Sequence, residues 1–118
     1  MSIGPLTLYG LKNCDTCKKA LRALEAADRE TAFVDIREDA ELTRLVPAWL
    51  KAVGAETLVN RRSTTWRTLD DADKAAALGD SAKDILIAHP TLIKRPLIDT
   101  GAEILVGWDS GVQQALRA

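Results

Sequence analysis

Residues 9–21 read YGLKNCDTCKKAL and contain both cysteines of the chain. The overlapping stretch PLTLYG, residues 5–10, is an alternating apolar run that predicts a strand ending at Gly10. From Thr16 onward the apolar residues recur with helical spacing, at Cys17, Ala20, Leu21, Leu24 and Ala27. The stretch therefore predicts a strand that passes directly into a helix, with the Cys14-x-x-Cys17 pair at the junction.

The junction gives the two cysteines different chemistry. Cys14 falls at the predicted helix N-terminus, where free backbone N–H groups and the helix dipole stabilise a thiolate, which is the nucleophilic form. Lys12, Lys18 and Lys19 add positive charge nearby, and Asp15 opposes them. Cys17 lies one helical turn later, which is where a thiol could attack a mixed disulfide formed on Cys14. We interpret Cys14 as the nucleophile and Cys17 as the resolving cysteine.

Two other interpretations of the cysteine pair stay open. A zinc site needs four ligands, and the chain offers no second Cys-x-x-Cys and one histidine, His89, so a metal site would require a partner chain. Both cysteines can also be small apolar residues that pack the start of the helix, and Cys17 lies on the apolar stripe. We predict redox use and no bound metal or cofactor.

The rest of the chain supplies the other elements. A second strand is predicted at 31–36, and one helical face runs from Leu42 to Val53, with Pro47 in the first turn or at a kink. Residues 55–69 look irregular. The remaining patterns are two helices within 70–79 and 80–90, strands at 91–99 and 102–108 joined as a hairpin, and a last helix capped by Asp109 and running through Arg117.

This order predicts the fold class. A β-α-β start, a helical insertion at about 40–89 and a ββα end match the thioredoxin-type layout. We predict an α/β protein with a small mixed β-sheet, and a single domain over residues 1–118.

Basic residues later in the chain can gather beside Cys14. Arg61 and Arg62 lie in LVNRRSTTWR, and Arg95 directly precedes Pro96. Arginine presents a planar fork of donors suited to oxyanions and carboxylates. The thioredoxin-type layout places an X-Pro step opposite the cysteine pair, so we predict a cis Arg95–Pro96 bond. A solvated loop is the other interpretation of the 61–67 segment, and His89 is interpreted as a helix-end residue.

Composition excludes some classes of function. Lysine and arginine number 16 against 17 acidic residues, so the net charge of -1 predicts neither nucleic-acid nor membrane-surface binding. The first ten residues lack the charged and apolar regions of a signal peptide, and we expect a cytoplasmic protein.

With these motifs in place, the chain resembles the arsenate-reductase-like ArsC family of the thioredoxin superfamily, near its Spx and YffB-type members. The resemblance is carried by LYGLKNCDTCKKAL, TLVNRRSTTWR, HPTLIKRPLI and the closing VGW, and it runs nearly end to end. It implies that Cys14 is the nucleophile and that Arg95 is the arginine of the Arg-Pro motif. Arsenate reductases of the family hold the oxyanion with three arginines. The first aligns with Asn60, or with Arg61 if the alignment shifts by one residue, and the third aligns with Trp108.

The resemblance also implies partners. Family members of the arsenate reductase type take electrons from glutathione and glutaredoxin, whereas Spx-type members are redox switches that bind RNA polymerase. Because Asn60 and Trp108 stand where the family has arginines, we expect a glutathione mixed disulfide or a protein disulfide as the substrate, in preference to arsenate. We therefore expect a thiol-dependent oxidoreductase that uses glutathione, or a glutaredoxin- or thioredoxin-type reductant. A redox-switched regulator and an arsenate reductase are the alternatives. The candidate substrate- and anion-binding residues are Lys12, Asn13, Asn60, Arg61, Arg62, Pro96 and Trp108.

Overall fold

Strand β1 (Leu6–Gly10) organises the sheet. The structure is a computed structural model that describes residues 5–116. Within them four strands form one sheet in the order β2-β1-β3-β4. β1 pairs in parallel with β2 (Thr31–Asp35) and antiparallel with β3 (Leu97–Asp99), which pairs antiparallel with β4 (Ile104–Val106). The predicted mixed sheet is confirmed.

Helix α1 (Asp15–Ala26) makes the crossover between the parallel strands β1 and β2. Its apolar stripe buries Cys17, Ala20 and Leu24, as the spacing predicts. These side chains join a core with residues of β1, β3 and the last helix, α7 (Ser110–Leu116), namely Leu6, Leu8, Ile98, Val112 and Leu116. The helix that carries the cysteines is therefore fixed by burial.

The chain divides into two compact units. The first contains the described residues up to Ala40 and from Arg95 onward, with the sheet, α1 and α7. The second, Glu41–Lys94, contains α2 (Leu42–Val53), α3 (Ala55–Leu58), α4 (Thr64–Thr68), α5 (Asp71–Ala77), α6 (Ala82–Ala88) and a 3₁₀ turn at Pro90–Leu92. Helices α2 and α5 both contact α6, and the buried side chains include Trp49 and Leu86. The single-domain prediction stays a prediction.

Several predicted boundaries were wrong. The predicted helix start just before Pro47 is wrong, because α2 already begins at Leu42 and Pro47 lies inside it. The alternative, a kink at Pro47, stays a prediction. The segment 55–69 contains two short helices, α3 and α4. The strand predicted at 91–99 is restricted to Leu97–Asp99, since residues 90–92 form the 3₁₀ turn. The strand predicted at 102–108 is restricted to Ile104–Val106.

Helix ends agree better with the sequence. Asp109 accepts a hydrogen bond from the backbone N–H of Val112 at 2.9 Å and so caps α7, as predicted. The predicted end of that helix at Arg117 lies outside the described residues. His89 follows α6 as its C-cap residue, which confirms a helix-end position. In residues 5–116, no helix combines the length and the apolar character needed to cross a membrane.

Candidate functional site

The topology brings Cys14 and Arg95 to the same end of the two inner strands, β1 and β3. Tyr9 pairs with Leu97 in the antiparallel β1–β3 register, so the end of β1 lies beside the start of β3. Cys14 follows β1 as the N-cap residue of α1, and Arg95 shortly precedes β3. Residues distant in sequence therefore converge on one sulfur atom.

Cys14 is half-buried and its thiolate is stabilised by three donors. Burial alone would raise the pKa of the Cys14 thiol. The backbone N–H and the thiol of Cys17 and the guanidinium of Arg95 outweigh burial by hydrogen bonding and charge, so the pKa is lowered. The pKa of the Cys14 thiol is thus shifted down, toward the thiolate, and its role as nucleophile stays a prediction.

Cys17 is enclosed. Its residue is 1% exposed, and a Cβ built on Gly10 would lie 2.5 Å from the Cys17 sulfur. Burial raises the pKa of the Cys17 thiol to about 12; the backbone N–H of Leu11 opposes this, and the neighbouring Cys14 adds to it. The pKa values of the two thiols in this motif are therefore shifted in opposite directions.

The Arg95–Pro96 peptide bond is cis, as predicted. Pro96 is buried, and its carbonyl oxygen accepts a hydrogen bond from the backbone N–H of Gly107 at 2.8 Å. That bond joins the start of β3 to the turn that follows β4. The segment carrying Arg95 is therefore tied to the hairpin.

Lys12 and Asn13 are exposed in the loop before Cys14. Lys12 lies 3.7 Å from the carboxylate of Glu38, with both side chains mostly in solvent. An open cleft of about 400 Å³ is lined by Leu11, Lys12, Asn13, Asp35, Arg37 and Glu38. Its charges are mixed and Cys14 is not among its lining residues, so binding of an anion by Lys12 and Asn13 stays a prediction.

A second cavity lies beside Cys17, and sequence reasoning missed it. It measures about 340 Å³, its wall is almost wholly apolar, and two lysines stand among its lining residues Leu11, Lys12, Cys17, Lys18, Leu21 and Phe33. Phe33 enters from β2, where it pairs in register with Leu8. The sequence does contain one sign of this cavity. Leu21 lies one helical turn after Cys17 on the apolar stripe of α1, and its side chain is only half-buried.

The remaining candidates divide between the two units. Trp108 is half-buried and packs against the same core cluster as Cys14. Asn60, Arg61 and Arg62 belong to the second unit, where the Asn60 side-chain oxygen accepts a hydrogen bond from the Arg62 backbone N–H at 3.0 Å. Both arginines are exposed, and their predicted role in anion binding stays a prediction. Among residues 5–116, no group of three or more His, Cys, Asp or Glu side chains is arranged to hold a metal ion.

The chain is similar to known proteins along almost its whole length. Residues 9–116 match the ArsC family. An uncharacterized protein of Haemophilus influenzae is 42% identical over 114 residues, covering 96% of this chain and 99% of that protein. The solved structure of a YffB protein has a TM-score of 0.83 at 36% identity and covers 96% of this chain and 99% of its own. An arsenate reductase (ArsC) related protein from Brucella melitensis has a TM-score of 0.77 at 32% identity, with coverage of 98% and 96%. The thioredoxin-like fold is confirmed.

Proposed function

Because this chain belongs to the ArsC family, we propose that it is a thiol-dependent oxidoreductase in which the sulfur of Cys14 is the nucleophile. Membership of the family supports a reductase-like role that depends on thiols in general terms. The finer proposal is reduction of a disulfide, with a mixed disulfide of glutathione as the substrate class and glutathione as the co-substrate.

The difference in acidity between the two cysteines carries this proposal. Disulfide exchange needs a thiolate, and the pKa of Cys14 is lowered by the Cys17 and Arg95 donors although its burial acts against them. The same donors favour thiolate as a leaving group, which assists the second exchange. Arg95 is the residue that brings full positive charge to the sulfur.

The proposed reaction consists of two exchanges. The Cys14 thiolate attacks one sulfur of the substrate disulfide, a new disulfide to Cys14 forms, and the other substrate sulfur leaves as a thiolate that takes a proton from water. A second thiolate then attacks the mixed disulfide and restores the Cys14 thiolate. With glutathione in both steps, a glutathionylated thiol and one reduced glutathione become a free thiol and oxidised glutathione. A reducing compartment such as the cytoplasm contains such thiols.

The rival proposals differ in what they require of the same site. Arsenate reduction needs donors around an oxyanion, and Trp108 offers an uncharged indole with a single N–H donor. A redox-switched regulator needs a change in partner binding on oxidation and little turnover. The glutathione proposal needs only one activated thiolate and an approaching disulfide.

The test compares substrates in one assay. We expect the purified protein to reduce a glutathionylated peptide when reduced glutathione and glutathione reductase are supplied, and to lose this turnover in Cys14→Ser. Arsenate is assayed in parallel with glutathione and glutaredoxin. Arg44→Gln serves as the matched control, since it also removes an arginine, but an exposed one in the second unit that is not among the candidate binding residues. Arg95→Gln is expected to slow turnover more.

Two outcomes contradict the proposal. Robust arsenate turnover that exceeds mixed-disulfide turnover would favour the arsenate reductase. No turnover of either substrate, together with a protein partner retained by the oxidised form alone, would favour the regulator.

A further inference from the structure

We propose that the apolar cavity beside Cys17 and the outer edge of β2 together bind an extended polypeptide segment, which adds to the sheet as a further strand. The segment carries an apolar residue that enters the cavity and an acidic residue two positions before it. We call the cavity and this edge the β2 groove. The inference rests on the proposed function and narrows it, because it makes a disulfide-bonded polypeptide the substrate class.

Strand β2 lies at the edge of the sheet and has free backbone groups. In the order β2-β1-β3-β4 it pairs only with β1. The C=O of Glu30 accepts a hydrogen bond from the N–H of Leu6 at 2.8 Å, and the N–H of Ile36 donates to Gly10 at 3.0 Å. The even-numbered residues of β2 therefore bond to β1, and the N–H and C=O of Phe33 point to the outer edge. Within residues 5–116 neither group has a hydrogen-bond partner.

The side chain of Phe33 joins this edge to the cavity. Phe33 pairs in register with Leu8, and both Phe33 and Leu21 pack against the core cluster that contains Leu8. Residues opposite each other in paired strands point to the same face, with Cβ atoms about 4.5–5.5 Å apart. The residue of an added strand opposite Phe33 would therefore direct its side chain into the cavity, whose volume of about 340 Å³ and apolar wall suit one large apolar side chain.

The free groups of Phe33 favour an antiparallel segment. One antiparallel residue accepts from the Phe33 N–H and donates to the Phe33 C=O, whereas a parallel strand divides these two bonds between two residues. Cys17 lines the cavity and lies one helical turn after Cys14, the N-cap residue of α1. The bound segment therefore lies beside the start of the helix that carries the proposed nucleophile.

The charge at the rim of the cavity selects an acidic side chain. Lys12 and Lys18 line the cavity and are exposed. Lys12 lies 3.7 Å from the carboxylate of Glu38, whereas Lys18 forms no ion pair with any residue of 5–116. The buried carboxylate of Asp35, on the same face, already accepts two backbone hydrogen bonds at 2.8 and 3.1 Å. Lys18 is therefore the cation available to an acidic residue that lies near the C-terminal end of β2, two positions before the apolar residue.

The first experiment tests strand addition with a fluorescein-labelled peptide of sequence TETLTT. Binding to the reduced protein is measured by fluorescence anisotropy, and we expect the backbone N–H signal of Phe33 to shift in the ¹⁵N NMR spectrum. N-methylation of the leucine removes the bond to the Phe33 C=O and should weaken binding about tenfold, as should replacement of that leucine by alanine. N-methylation of the next threonine, whose N–H points away from β2, is the control. No binding at about 1 mM peptide, or equal losses from the two methylations, would overturn the inference.

The second experiment tests the rim charge. Lys18→Glu should weaken binding of the peptide about threefold or more, and a peptide with lysine in place of its glutamate should bind this variant better than it binds the parent. Lys83→Glu is the matched control, since it reverses the charge of an exposed lysine in the second unit. Equal effects of the two substitutions would contradict the assignment of Lys18.

Turnover separates this inference from the proposed function. The same peptide, extended by a glutathionylated cysteine, should be reduced with a severalfold higher kcat/KM than a peptide of shuffled sequence. If neither peptide is reduced, the proposed function fails, and the anisotropy and NMR measurements still test the β2 groove. If both are reduced equally and TETLTT does not bind, only the inference fails.

Discussion

Replacing Gly10 by alanine is the sharpest test of how β1 and α1 are joined. The new Cβ would lie 2.5 Å from the Cys17 sulfur and 3.3 Å from the Cys17 Cβ, whereas ordinary van der Waals contact begins at 3.4 Å. Neither element can readily move, because β1 is paired on both sides and Ala20 of α1 is fully buried. Overpacking of this kind costs about 1–3 kcal/mol. We expect that loss in urea unfolding, with a fall in Tm of about 3–6 °C for each kcal/mol in a chain of this size.

A double-mutant cycle then tests whether the sulfur is the cause. In a Cys17→Ala background the 2.5 Å contact is gone, so Gly10→Ala should destabilise much less there, with a coupling free energy of about 1–2 kcal/mol. Gly111→Ala is the control, because Gly111 is exposed and a Cβ there meets the end of the Asp109 side chain at 3.3 Å. We expect that control to change stability by less than about 1 kcal/mol. The argument fails if Gly10→Ala is as stable as the parent, or if it destabilises equally with and without the Cys17 sulfur.

Three further predictions concern Arg95, Cys17 and the cap residue Asp109. Arg95→Met should raise the pKa of Cys14 and slow its alkylation severalfold at neutral pH, since the guanidinium favours the thiolate; an unchanged pH profile contradicts this. Because the pKa of Cys17 is raised, the folded state keeps a proton that the unfolded state releases. The stabilisation of the folded state by this proton is complete below about pH 9 and is lost as the pH rises toward about 12. Relative to Cys17→Ala, the parent should lose up to about 1.4 kcal/mol per pH unit in that window, measured by urea unfolding, and parallel curves would disprove it. Asp109→Ala removes the cap that accepts the Val112 N–H and should cost about 0.5–2 kcal/mol, with Asp109→Asn as the conservative control that keeps an accepting oxygen.

Local signals in the sequence predicted the centre of the first unit well. The alternation before Gly10 and the helical spacing after Cys14 are short-range patterns, and they place Cys14 at the N-cap of α1. The X-Pro step at Arg95–Pro96 is equally local, and its cis form was predicted from the thioredoxin-type layout.

Features that depend on tertiary packing were not predictable in the same way. Pro47 suggested a late helix start, but burial of Leu42, Leu45 and Val46 keeps α2 helical before it, although an interior proline removes one backbone hydrogen bond. The isolated bridge between Val59 and Ile93 similarly depends on a contact between distant segments. Strand register is a third example, since a slip of one residue would turn Phe33 to the other face of the sheet.

The convergence of Cys14 and Arg95 has a consequence for biosynthesis. The two residues are carried by separate segments that meet only when β3 pairs with β1. In a nascent chain whose Arg95 has not yet emerged from the ribosome, Cys14 therefore lacks one of the donors that lower its pKa. The contribution of Arg95 to the acidity of Cys14 therefore begins only after the segment that carries Arg95 has been translated and β3 has paired with β1.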